Sequence, residues 1–137
     1  MTYEEFEEIL KEIQKSKCET QTLEIKSAEL GCPKKLFDTL SSFSNQDEGG
    51  VIVFGVDEAH EYKEVGVYDP QDLQKRIGEQ CQQMEPIVRP LLTVLEKDGE
   101  VFVAAEIPGI DVAERPCFYK GKGRMTGSYV RDRKSVV

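Results

Sequence analysis

Lysine and arginine alternate with glycine in a short segment near the end of the chain, Lys120-Gly121-Lys122-Gly123-Arg124. Glycines expose backbone amides and let a loop follow a phosphate backbone, while the cations supply charge and counterion release. Tyr119 and Tyr129 flank the segment, which allows a nucleobase to stack on a ring between the cations. The pattern predicts contact with nucleic-acid phosphates, and a flexible hairpin tip is the alternative.

The charge of the chain is unevenly distributed. The net charge is −8, yet the stretch from Arg115 to Val137 holds seven basic residues and one acid. An acidic body with one basic face fits a nucleic-acid partner, whereas a basic tail without a partner is the alternative. The candidate nucleic-acid-binding residues in this stretch are Lys120, Lys122, Arg124, Tyr129, Arg131 and Arg133.

Charged side chains also alternate with apolar ones near the start of the chain. Leu23 and Ile25 are spaced to face one side of a strand, which places Glu24 and Lys26 together on the other side. This pair is what the solvent face of a half-buried strand ordinarily carries. The residues alone therefore favour a surface role for them.

The segment from Ser42 to Gly50 is an Asn- and Gly-rich turn between a helical pattern and a continuous apolar run. Gly49 and Gly50 allow positive φ and a close approach of the backbone to another group. A turn of this kind before a buried strand that ends in an acid, Asp57, suits a ligand-facing edge. It is equally typical of a simple tight turn.

Several classes of site are disfavoured by the sequence. The four cysteines (Cys18, Cys32, Cys81 and Cys117) form no C-x-x-C pair, which argues against a zinc ribbon, a redox motif or a dense disulfide framework. His60 is the only histidine and falls in a predicted turn. No apolar run approaches the ~20 residues needed to cross a bilayer, and no signal peptide opens the chain, so a cytoplasmic protein is expected.

Three helices are predicted from hydrophobic periodicity and capping signals. Residues 2–16 form an amphipathic helix with a capping box of Thr2 and Glu5. Pro33 suits the first turn of a second helix, and Asp69 with Pro70 begins a third. The inner faces of the second and third helices hold Leu36, Phe37, Leu40 and Phe43, and Leu73, Ile77, Cys81 and Met84.

The predicted strands cover residues 22–26, 51–56, 91–96 and 100–107, and the last two form a hairpin through Lys97-Asp98-Gly99. A final extended pair, 117–120 and 128–132, flanks the basic segment. The core order is therefore strand, helix, strand, helix, strand, strand. We predict an α+β domain at 17–134, preceded by the helix of 1–16 and closed by a C-terminal β-hairpin.

Three motifs carry a resemblance to a known family. They are Glu19-x-x-x-x-Glu24-x-Lys26, the Ser42-Phe43-Ser44-Asn45 turn with Gly49-Gly50, and Gly127-Ser128-Tyr129-Val130-Arg131. With them, residues 15 to 133 resemble the Schlafen-type, AlbA-like domain at the N-terminus of many bacterial transcriptional regulators, where it precedes an AAA-type ATPase segment and a winged-helix region. The resemblance implies the βαβαββ order and a chain that is an N-terminal fragment of a longer protein.

The resemblance also implies a possible metal centre. In Schlafen-type domains that act as endoribonucleases, two glutamates at this spacing and a further acid form a metal-dependent site, which here would be Glu19, Glu24 and Asp57. Oxygen ligands of this kind suit Mg²⁺ or Mn²⁺, and Lys26 would offset charge on the phosphate. Most bacterial relatives are regulators rather than nucleases, so no cofactor is certain.

The turn departs from the family pattern, which often reads Asn-Thr-x-Gly-Gly. Here Gln46, Asp47 and Glu48 separate Asn45 from the first glycine, and two of the three are acidic. Two carboxylates repel a phosphate, so an anion site at the Gly49 and Gly50 amides is not expected.

We expect a nucleic-acid-binding, regulatory N-terminal domain of a bacterial transcriptional regulator, acting on DNA or RNA. The first alternative is a metal-dependent endoribonuclease that uses Glu19, Glu24 and Asp57 with Lys26. The second is a protein-interaction module, such as a homodimer through the helix of residues 2–16.

Overall fold

The computed structural model describes residues 1–131, and a four-stranded mixed sheet lies at its centre. The strands of this sheet are β1 (Leu23–Lys26), β2 (Gly50–Phe54), β6 (Leu91–Lys97) and β7 (Glu100–Ile107). They lie in the order β1-β2-β7-β6, with β1 parallel to β2 and the other neighbours antiparallel. Two short antiparallel pairs join β3 (Val56–Asp57) with β4 (Lys63–Glu64), and β5 (Met84–Glu85) with β8 (Phe118–Tyr119).

The helices are α1 (Tyr3–Ser16), α2 (Phe37–Ser44), α3 (Pro70–Gln82) and the single turn α4 (Gly123–Thr126). The capping box of α1 is present, with Thr2 and Glu5 exchanging side-chain to backbone hydrogen bonds. Asp69 caps α3 and Pro70 is its first residue, because a missing amide proton costs nothing there. These local signals confirm the predicted starts of both helices.

Both faces of the sheet are covered. Phe43 and Ile77, from α2 and α3, pack with Ile52 of β2 on one face. On the other face, Phe6 of α1 packs with Val53, the next residue of β2, because successive side chains of a strand point to opposite sides. The α+β class and the βαβαββ core order are thus confirmed.

This packing buries the apolar face of α1. Phe6, Leu10 and Ile13 are fully buried, and the Phe6 ring lies 5.4 Å from the ring of Phe102. Self-association through Phe6, the alternative raised by the sequence, would require α1 to leave the sheet. The surface left by α1 is mainly charged.

Two element boundaries differ from the predictions. The second helix begins at Phe37 rather than near Pro33, because the Pro33 carbonyl and the Leu36 amide are hydrogen-bonded to the Gln80 side chain of α3. The apolar run of 51–56 is broken at Gly55, whose φ of 123° separates β2 from β3. A side chain at Gly55 would collide with the Phe102 ring.

In the described residues the predicted C-terminal hairpin keeps one bridge, between Phe118 and Ser128, and the last residue of its second arm lies outside them. The Gly123 carbonyl accepts a hydrogen bond from the Gly127 amide, which closes the helical turn α4 where an open loop was expected. The strand β8 also pairs with β5. No helix within residues 1–131 is long and apolar enough to cross a membrane.

Candidate functional site

An open cavity of about 240 Å³ lies where β1 meets the end of the described chain. Glu19 and Glu24 line it, together with Lys26, Arg131 and Tyr129. Glu24 is only 8% exposed, so it does not lie on a solvent face as the alternation of β1 suggested. We call this cavity the acid pocket.

Arg131 fixes the C-terminal segment across the acid pocket. Its Nη1 donates to Glu24 Oε1 at 2.7 Å, and its Nη2 donates to the carbonyls of Thr20 and Leu23 at 3.0 and 2.9 Å. The guanidinium carbon lies 4.8 Å from the centre of the Phe43 ring. These contacts engage Arg131 within the chain, although its position in a basic segment suggested a phosphate contact.

The two carboxyl groups of the acid pocket are electrostatically unequal. Burial, together with the nearby Glu24 charge, raises the pKa of Glu19 to about 7, although the Ile25 amide donates to its Oε2 at 2.9 Å. Burial also acts to raise the pKa of Glu24, but the hydrogen bond from Arg131 and the charge of Lys26 hold it below its ordinary value. The pair therefore takes up a proton as the pH falls through about 7, and the carboxyl group of Glu19 is the one that favours it.

The raised pKa of Glu19 predicts that the stability of the domain depends on pH. Below pH 4.5, the ordinary pKa of Glu19, the carboxyl group is neutral in both the folded and the unfolded chain. As the pH rises towards about 7 only the unfolded chain ionises, so the stability due to the neutral carboxyl is lost across this window. The lowered pKa of Glu24 acts in the opposite sense and only below pH 4.5.

Urea unfolding of the wild type and Glu19→Gln at pH 5 and pH 8 checks this expectation. Glutamine stays neutral, so the variant should gain stability relative to the wild type between pH 5 and pH 8. An equal difference at the two pH values would show that Glu19 titrates normally.

The third acid named by the resemblance lies in a turn of its own. Asp57 Oδ2 contacts His60 Nδ1 at 2.7 Å, and its Oδ1 accepts from the Ala59 amide. Glu24 is held by Arg131 and Lys26. In the described part of the chain no three acidic, His or Cys side chains are grouped to hold a metal ion. Glu19, Glu24 and Asp57 therefore do not fit a Mg²⁺ or Mn²⁺ centre in this arrangement.

A second groove, of about 500 Å³, adjoins the acid pocket, and Tyr129 and Asp38 line both. Three aromatic rings and three lysines line this basic groove, namely Phe37, Tyr119, Tyr129, Lys34, Lys35 and Lys122. The Phe37 and Tyr119 rings are stacked, with centres 3.8 Å apart and planes at 14°. Among residues 1–131 the one acidic residue that lines the groove is Asp38, whose Oδ1 accepts from the Thr39 amide.

The cations of the basic groove are exposed. Lys34, Lys35 and Lys122 reach solvent, as do Lys120 and Arg124 beside them, and within residues 1–131 none of the five forms an ion pair. The Arg124 guanidinium lies 5.9 Å from the centre of the Phe118 ring. Arg133, also predicted to bind phosphate, lies outside the described residues.

Comparison with known proteins identifies the family of this chain. The profile of the family described as Schlafen, AlbA_2 matches residues 19–137, which is most of the sequence. The chain belongs to the Schlafen, AlbA_2 family.

Solved structures give the same result for the fold of this Schlafen, AlbA_2 domain. It is similar to the solution structure of the N-terminal domain of a RecG-related protein from Nitrosomonas europaea, with 26% identity, a TM-score of 0.72, and 95% of this chain and 92% of that chain covered. The DIP2311 protein from Corynebacterium diphtheriae shares the fold at 15% identity and a TM-score of 0.53, over 86% of this chain and 24% of that chain. No curated protein gives a significant match.

The Ser42–Gly50 turn of this Schlafen, AlbA_2 domain binds its own chain. Asn45 Nδ2 donates to the carbonyls of Cys117 and Tyr129, each at 3.2 Å, and Asn45 Oδ1 accepts from the Cys117 amide at 2.7 Å. Gly49 donates its amide to the Gln46 carbonyl. The turn thus holds the segment that carries Tyr129, and the Gly49 amide is already used.

Lys34 and Lys35 of the Schlafen, AlbA_2 domain were missed as site residues by sequence reasoning. The signal was a pair of adjacent lysines directly before α2, in a chain whose N-terminal part is mainly acidic. Their role depends on the fold, because Tyr119 and Lys122 join them only through the packing of β8 beside α2.

Proposed function

We propose that this domain binds nucleic acid and acts as a regulatory N-terminal module of a bacterial transcriptional regulator. The observation that supports this most strongly is the basic groove, where lysines from two distant segments surround half-buried aromatic side chains. Phosphate contact by unpaired lysines and arginines supplies most of the affinity of sequence-independent binding. Aromatic rings between those cations offer stacking surfaces for bases.

The arrangement of charge supports the same proposal. The chain carries a net charge of −8, which would repel nucleic acid if the charges were evenly spread. The five exposed cations in and beside the basic groove concentrate positive charge on one surface, where a phosphate backbone gains most from counterion release. The similar Nitrosomonas europaea domain is described as the N-terminal part of a RecG-related protein, a position that fits a targeting module.

The double variant Lys122→Glu/Arg124→Glu tests the proposal. Reversing two phosphate contacts should lower the affinity for labelled DNA or RNA at least about tenfold at low salt. The plot of log affinity against log salt concentration should also become shallower by about 1.5. Fluorescence anisotropy at several salt concentrations measures both quantities.

A matched control is Lys11→Glu/Lys15→Glu, which makes the same change in net charge on the exposed face of α1. It should bind nearly as the wild type does. Equal losses in the two double variants would mean that net charge alone governs binding, and unchanged binding in Lys122→Glu/Arg124→Glu would contradict the proposed surface.

Incubation of the wild type with labelled RNA and Mg²⁺ or Mn²⁺ tests the metal-dependent cleavage implied by the resemblance. Because Glu19, Glu24 and Asp57 do not converge, we expect labelled RNA to stay intact with Mg²⁺ or Mn²⁺. Shortening of the RNA that disappears in Glu19→Gln would contradict this expectation and make the acid pocket a nuclease site.

A further inference from the structure

We infer that the basic groove takes an unpaired base of single-stranded nucleic acid, stacked on the Tyr129 ring with the flanking phosphates at the lysines. This inference rests on the proposed function and narrows it to a substrate class. The ligand is defined by its chemistry, a flat nucleobase joined to phosphates, and both DNA and RNA supply it.

The aromatic rings of the groove are held in place by the fold. Phe37 is the first residue of α2 and Tyr119 the last of β8, and their parallel stacking spans the two elements. A side chain at Gly121 would collide with the Tyr119 ring, so glycine lets the basic loop lie against that ring. Phe37 and Tyr119 therefore use ring faces on each other and form a fixed apolar wall of the groove.

Tyr129 is the ring best placed to contact a ligand. Its backbone is held at both polar atoms, since its amide donates to Ser41 Oγ at 2.8 Å and its carbonyl accepts from Asn45 Nδ2. Its ring is half-buried, lines both the basic groove and the acid pocket, and has no stacking partner in the described part of the chain. The polypeptide therefore fixes the backbone that carries the ring and leaves the ring open to a base.

The lysines set the position of the phosphates. Lys34 and Lys35 precede α2 on one side of the groove, and Lys122 precedes α4 in the other segment that lines it. A strand with a base in the groove can place phosphates near both segments. In a duplex each base face is covered by its neighbours, so a base must unstack at a cost of a few kcal/mol before it enters.

The test compares one 12-nucleotide sequence as single-stranded DNA, single-stranded RNA and the two corresponding duplexes, at low salt and by fluorescence anisotropy. The wild type should bind the single strands at least about fivefold more tightly than the duplexes, since stacking of a base on an aromatic ring has about this effect or more. Tyr129→Leu should remove that preference and keep the duplex affinity. Tyr3→Leu, at an exposed tyrosine of α1, is the control and should behave as the wild type.

The NMR ring signals of ¹³C-labelled tyrosine in the wild type test the same inference without any substitution. Upfield shifts of Tyr129 on adding the single strand, but not the duplex, would support stacking. Equal affinity for single strands and duplexes, or a preference that survives Tyr129→Leu, would overturn this inference and leave the proposed function standing. Absence of binding to all four ligands would overturn the proposed function itself.

Discussion

Arg131→Ala is expected to lower the free energy of unfolding of this domain by about 3 kcal/mol. The change removes one of the two cationic partners of Glu24, which is 8% exposed, and leaves Lys26 alone to balance a buried carboxylate. It also removes the donors to the Thr20 and Leu23 carbonyls and the contact with the Phe43 ring. Urea unfolding at pH 7 measures the loss.

Arg124→Ala is the matched control, because Arg124 is an exposed arginine of the same segment. It should change stability by less than about 0.5 kcal/mol, as surface substitutions usually do, while weakening the binding of nucleic acid. Arg131→Lys should recover only part of the stability, since an ammonium cannot reproduce the forked contacts of a guanidinium. Wild-type stability in Arg131→Ala would show that the segment is not fixed across the acid pocket.

The contrast between these arginines shows what the sequence could and could not predict. Both lie in one basic segment, and charge alone makes them equivalent candidates for phosphate contact. Glu24, the partner of Arg131, is 107 positions away, and no local pattern indicates that pairing. The sequence alone therefore does not distinguish an arginine that pairs with a buried glutamate from an arginine that contacts a ligand.

Local signals predicted the elements that depend on neighbouring residues. The capping box of Thr2 and Glu5, the Asp69-Pro70 helix start and the hairpin turn at Asp98-Gly99 are each satisfied within a few positions. Of the C-terminal hairpin the described residues keep one bridge, between Phe118 and Ser128, because β8 also pairs with the distant β5. Glu24 is buried for a similar reason, since the segment of Arg131 covers β1.

The basic groove depends on the same kind of long-range packing. The sequence indicated the cations and tyrosines from Tyr119 to Tyr129, and the structure adds Lys34, Lys35 and Phe37. Stacking of Phe37 on Tyr119 joins the two segments. The residue types were thus predictable on one side of the groove, while its shape and its other side required the fold.

Asn45→Asp should destabilise the domain by about 3 kcal/mol, although the two side chains have nearly the same shape. The aspartate can still accept from the Cys117 amide, but it has no donor for the carbonyls of Cys117 and Tyr129. The Cys117 carbonyl keeps the Ser41 hydroxyl as a donor, so the Tyr129 carbonyl is the one that loses its donor, at a cost of about 1–3 kcal/mol. The carboxylate facing two carbonyl oxygens adds repulsion. Urea unfolding measures the change, and the single-strand affinity should fall as well, since Asn45 holds the backbone of Tyr129.

Asp47→Ala, two positions away in the same turn, separates this role from a general sensitivity of the turn. The carboxylate of Asp47 is 84% exposed and pairs with Arg115 at 2.8 Å, and exposed ion pairs contribute at most about 1 kcal/mol. Near-wild-type stability and binding are therefore expected in Asp47→Ala. If Asn45→Asp changed stability and binding as little, the Asn45 hydrogen bonds would not be what holds the Tyr129 segment. Other contacts would then have to fix the basic groove and the acid pocket.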